Sequence, residues 1–124
     1  MSTALNSKDM KAINTSLVQS IVNAANTKTD KTFMLSESSS RYVVSIQNIH
    51  SAKNMSLVFN LNTKIHKALN KSGIDSIGTW TDKSGVTHVD MNVHLDSIID
   101  AIRLGTSCNQ QAIYDLKNRK TIML

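Results

Sequence analysis

Eight consecutive residues of this sequence alternate strictly between polar and apolar side chains. His88, Asp90, Asn92 and His94 interleave with Val89, Met91, Val93 and Leu95. Successive side chains of a strand point to opposite faces, so a period of two commits the segment to a half-apolar β-strand. Upstream, Ser76–Thr81 and the turn Asp82-Lys83-Ser84-Gly85 complete a β-hairpin with Val86–Leu95. Gly85 supplies the positive φ that such a turn needs.

The remaining elements follow from their own periodicities. Met10, Ile13, Leu17, Ile21 and Ala24 recur every three or four residues and predict an amphipathic helix from about Lys8 to Asn26. Ser7 is its expected N-cap, and Asp9 lies near the positive end of its dipole. Tyr42, Val43, Val44 and Ile46 predict a strand at Arg41–Asn48, with a shorter one at Phe33–Leu35 beside it. Val58, Leu61, Ile65 and Ala68/Leu69 predict a second helix from about Lys53 to Asn70, with Gly73 as its stop. Asp96 reads as the N-cap of a short helix, Ser97–Leu104, closed by Gly105 and burying Ile98, Ile99, Ala101 and Ile102. A second hairpin joins Ala112–Leu116 to Lys120–Leu124 through Lys117–Arg119.

The order α-β-α-ββ-α-ββ predicts an α+β fold, with an antiparallel sheet of two hairpins plus one or two further strands packed against two to three helices. A single domain, 1–124, is expected, with residues 1–26 as a peripheral helix and 32–124 as the compact core. Polar stretches at Thr27–Lys31 and Ser36–Ser40 flank that helix, so exchange of it between subunits, and hence a homo-oligomer, is among the expectations.

Composition narrows the class. Apolar residues at 40% exclude a wholly disordered chain, and the single Cys108 excludes an internal disulfide and points to a reducing compartment. No apolar run approaches the ~18 residues that span a bilayer, and MSTALNSKDMK lacks the apolar core of a secretory signal. A soluble intracellular domain with no membrane partner is expected. The net charge of +5 is unevenly placed: residues 1–72 carry nine Lys/Arg against three acids, and residues 73–124 carry five against six.

From Gly78 onward the chain shows a frame: GTWTDKSGVTHVD, the helix DSIIDAIRLG, then QQAIYDLKNRKTIML. Trp80, Asp82, Gly85, Asp90, Ala101, Gln111, Ala112, Ile113, Tyr114 and Asp115 carry the pattern. This stretch resembles the C-terminal halves of small uncharacterised proteins encoded by bacteriophages. The resemblance implies an accessory protein made in the cytoplasm of an infected cell. It implies no activity and no catalytic residue.

Candidate sites are few. His88, Asp90, Asn92 and His94 share a strand face, so His88, Asp90 and His94 are the metal-ligand candidates. About 20 Å of extended chain separates the two histidines, so they cannot share one ion, and a solvated strand face is the simpler expectation. His66 reads as a surface residue and Cys108 as a partly buried structural thiol. Asp82 is explained by turn chemistry. No Ser/His/Asp spacing or phosphate-cradling glycine loop is present, so neither enzymatic activity nor a cofactor is expected.

Lys64, Lys67 and Lys71 form a stripe on the second helix, with Lys53 near its start, and Lys8, Lys11, Lys28 and Lys31 extend the basic surface. That arrangement suits either the wet side of a helix or a nucleic-acid-binding face. Few aromatics are available for base stacking, and Phe59, Tyr42 and Tyr114 read as core. Trp80 is expected either to anchor the hairpin to the helices or to serve as a hot spot for a partner. The expected function is non-enzymatic binding of a host or phage macromolecule, most plausibly a protein. A nucleic-acid-binding module is the alternative.

Overall fold

The computed structural model describes residues 7–37 and 40–124, those of 7–14 by backbone alone. Its helices are α1 (Ser7–Asn26), α2 (Leu61–Leu69) and α3 (Ile98–Ser107). Its strands are β1 (Lys31–Met34), β2 (Tyr42–Ala52), β3 (Ser76–Thr81), β4 (Thr87–Leu95), β5 (Ala112–Asp115) and β6 (Lys120–Met123). They form one antiparallel sheet in the order β1-β3-β4-β2-β5-β6. This is the α+β architecture that the sequence predicts, with two hairpins, β3–β4 and β5–β6, and two further strands.

The apolar half of the β4 alternation decides where the helices go. Val89 and Met91, with Ile77 of β3, pack against Val18, Ile21, Ala24 and Ala25 of α1 and Leu61, Ile65 and Ala68 of α2. Val93 packs with Val44, Ile113 and Ala101 in a second cluster beneath α3. Val89, Met91 and Val93 point the same way, so all three helices lie on one face of the sheet. Ile21, Ile65 and Ile77 are fully buried, each contributing about 1.5–3 kcal/mol by transfer from water. The expected peripheral position of the first helix does not hold for its described side chains, because Val18–Ala25 supply a large part of the main core. Met10, Ile13, Ser7, Lys8 and Lys11 lie outside the described side chains.

Several boundaries differ from expectation for identifiable reasons. β2 continues to Ala52, and a 3-10 turn at Met55–Leu57 intervenes, capped by the Asn54 side chain on the Ser56 amide. The second helix is therefore only Leu61–Leu69, and Lys53 does not belong to it. The third helix is capped by Ser97, whose hydroxyl accepts from the Asp100 amide at 3.2 Å. It runs through Gly105 rather than stopping there. A Cβ at Gly105 would lie 2.7 Å from Leu124 Cδ1 and 3.1 Å from Ile113 Cγ2, so the glycine is what lets the helix approach the sheet. The turn comes instead at Asn109, with φ 57°. The buried side of α3 is Ala101 and Gly105, while Ile98, Ile99 and Ile102 are exposed, against expectation. Phe59 is fully exposed and Tyr114 is also outside the core, whereas Tyr42 is buried as expected.

Candidate functional site: the open face of the sheet

The polar half of the β4 alternation faces away from the helices. It was expected to be solvated, yet Asp90, Asn92 and His94 are only 7%, 6% and 4% exposed. Their cover comes from the sheet itself. Residues of all six strands line a single groove of about 420 Å³, among them Thr32, Ser45, Gly78, Trp80, Tyr114 and Thr121. Strands at opposite edges can line one groove only if the sheet curls toward this side. Gly78 makes room within it, since a Cβ there would stand 2.9 Å from Asn92 Nδ2.

Trp80 stands at the rim and is nearly half exposed. The position excludes the expected role as an anchor to the helices, because Ser76, Gly78 and Trp80 alternate away from Ile77. Its cross-strand partner is His88, and the two rings stack with centroids 4.3 Å apart at 22°. The indole Nε1 donates to Asp90 Oδ2 at 2.8 Å. Asn48 Nδ2 donates to the other oxygen, Oδ1, also at 2.8 Å. His88 is fixed at both nitrogens, with Nδ1 2.7 Å from Ser51 Oγ and Nε2 2.9 Å from Asp82 Oδ2. Asp82 in turn accepts from the Ser84 hydroxyl and the Ser84 and Val86 amides. The bonds from Ser84 and His88 hold its carboxyl far below the usual carboxylate range. Trp80 is thus locked in place by two layers of hydrogen bonds.

Asn48 and Ser51 escape a period-two reading of the sequence because β2 carries two bulges. The register slips between Ser45 and Gln47 and again between Asn48 and His50. Each bulge inserts one residue, so Ser45, Asn48 and Ser51, spaced by three, stand opposite Asn92, Asp90 and His88. The same slip puts His50 opposite Val89, on the helix side, where its Nδ1 lies 2.9 Å from Lys64 Nζ. The signal available in the sequence was the polar triplet at i, i+3 and i+6 inside an otherwise β-like run.

The metal candidates are not brought together. His88 and Asp90 spend their polar atoms on the bonds above, and His94 Nε2 lies 2.7 Å from Ser76 Oγ. Among the described residues no group of three His, Cys, Asp or Glu side chains is placed to hold an ion. Among the described residues His94 Nδ1 has no partner, and burial pushes its imidazole pKa down, with Asp75 opposing.

The lysine stripe is dispersed. Lys64 is half-buried against His50, Lys53 sits in the turn after β2, Lys67 is exposed on α2, and Lys71 is exposed beyond its end. Lys28 donates to the carbonyls of Lys53 at 2.8 Å and Gly85 at 2.7 Å, which ties the end of α1 to two turns. Lys31 places its ammonium 5.0 Å above the Phe33 ring.

Compared with known families, with curated proteins and with solved structures, the chain matches none. Among the described residues, no helix is long and apolar enough to cross a membrane.

Proposed function

We propose that this chain is a non-enzymatic binding protein that engages a partner protein through the open face of its sheet, with Trp80 as the anchor. The observation that carries this reading is the fixing of a half-exposed indole at a groove rim by His88 and Asp90. A rigid, amphipathic ring contributes contact area at little entropic cost, which is why such residues dominate binding energies. The resemblance of residues 78–124 supports placing it among small bacteriophage-encoded accessory proteins that act in the host cytoplasm, by occluding a partner surface. Five residues of that resemblance, Trp80, Asp90, Ala112, Ile113 and Tyr114, line the groove.

The nucleic-acid alternative draws less support. A phosphate-tracking face needs a continuous row of available cations, and Lys28, Lys31 and Lys64 are committed to contacts within the chain.

The test is a pull-down from host lysate with the wild type, Trp80→Ala and the double variant Lys67→Ala/Lys71→Ala. A protein retained by the wild type and the lysine variant but lost with Trp80→Ala supports the reading. Retention that is indifferent to Trp80, or no retention above background, overturns it.

A further inference from the structure

The floor of the groove holds an imbalance of charge. Asp90 is 93% removed from solvent, and both its oxygens are bonded to neutral donors, Trp80 Nε1 and Asn48 Nδ2. Among the described residues no cation lies within ion-pair distance of it, since the ion pairs present are Arg41–Asp115 and His88–Asp82. A buried carboxylate without a counter-charge is expensive, and neutral hydrogen bonds offset only part of that cost. Beside it, Asn92 turns its amide nitrogen to Ser76 Oγ at 3.2 Å, and its Oδ1 makes no hydrogen bond among the described residues. The second carboxylate of the lining, Asp30, accepts the Thr81 amide. The lining contains one basic residue, Lys31, and its ammonium is drawn onto Phe33 in the helix-side core.

Above these acceptors stand two aromatic rings, Trp80 on β3 and Tyr114 on β5, both partly exposed. His88 covers one face of the indole, and Trp80 as a whole remains 44% exposed. A concave site with acceptors on its floor and aromatic faces at its rim matches a donor-rich cation, which gains both charge-assisted hydrogen bonds and attraction to the ring quadrupoles. Its volume of about 420 Å³ suits one side chain and its flanking backbone, and is too small for a folded surface.

We infer that the groove receives an arginine or lysine side chain from a basic segment of the partner protein, with Asp90 as counter-ion and Trp80 and Tyr114 as flanking rings. This inference rests on the protein-binding reading above and names the chemistry of the segment that binds.

The test uses the intact chain and the emission of Trp80, its sole tryptophan. The probes are the acetylated and amidated tripeptides Gly-Arg-Gly, Gly-Lys-Gly, Gly-citrulline-Gly and Gly-Glu-Gly, together with spermidine. The arginine and lysine peptides are expected to shift the emission saturably, at concentrations about tenfold or more below those needed for citrulline. The response should weaken as salt is raised. Asp90→Asn should remove the preference for arginine over citrulline. If that variant does not fold by near-ultraviolet circular dichroism, Tyr114→Ala at an exposed position decides instead, and should weaken arginine binding severalfold. Equal responses to arginine and citrulline, no response to arginine, or a response to spermidine alone each overturn the inference. In any of these cases a Trp80-dependent partner in the lysate experiment would still leave the protein-binding reading standing.

Discussion

Arg41 and Asp115 stand 74 positions apart and meet side by side, with Nε and Nη2 of the guanidinium each donating to one carboxylate oxygen at 2.8 Å. Asp115 also accepts the amides of Lys117 and Asn118, so a single carboxylate fixes the β5–β6 turn to the start of β2. Replacing Asp115 with alanine should lower the melting temperature more than replacing Arg41, because the first change strands a guanidinium and two amides while the second leaves the amides paired. Thermal unfolding followed by circular dichroism checks the order.

The same pair sets a response to acid. The bond from Arg41 holds the Asp115 carboxyl far below the usual carboxylate range, and Asp82 is held down similarly by Ser84 and His88. In the unfolded chain both titrate near pH 4. Their contribution is therefore complete above about pH 4 and is lost as the pH falls below it. Asp115→Asn should flatten the fall in melting temperature between about pH 4 and pH 2.

His94 adds a second acid-sensitive window at higher pH. Burial lowers its pKa, and burial together with Lys64 lowers that of His50. The unfolded chain then takes up protons that the native chain refuses, so stability is full above about pH 6.5 and declines as the pH drops beneath it. His94→Gln, which retains a hydrogen-bonding side chain for Ser76, should reduce this slope. Adding His50→Gln should reduce it further. A slope unchanged in both variants would contradict the assignment.

Two substitutions in α3 separate its faces. Ile99 is 60% exposed, so Ile99→Ala should change stability by no more than about 0.5 kcal/mol. Gly105→Val forces a side chain against Leu124 and Ile113 and should cost about 1–3 kcal/mol. Urea denaturation measures both, and a larger loss from Ile99→Ala would mean that the isoleucine face is buried after all.

The strands were the readable part of this sequence and the floor of the site was not. Alternation from His88 to Leu95 gave β4 its two faces correctly, because the pleat allows no other arrangement. It gave no hint that the polar face would be enclosed, since enclosure comes from the curl of the sheet and from Gly78, which are tertiary effects. Helical periodicity placed Leu61 and Ile65 correctly but extended the helix backwards over Met55, where the side chain of Asn54 nucleates a separate turn. In α3 the dense isoleucines suggested a buried face. The chain instead buries the small residues Ala101 and Gly105, because the helix lies close against Ile113 and Val44. The bulges in β2 hid Asn48 and Ser51 from any fixed period.

The place of β2 in the sheet bears on how the polypeptide can be divided. The strand comes from the first half of the chain, yet it lies between the two hairpins of the second half, pairing with β4 on one side and β5 on the other. Residues 73–124 therefore contain two hairpins with no contact along a shared edge, and residues 1–72 contain the strand that joins them. Neither piece holds a continuous sheet, but each carries the missing edge of the other. Two polypeptides cut in the exposed turn near Ser72 should remain unstructured alone and reassemble on mixing, so that fragment complementation becomes a direct assay of the fold.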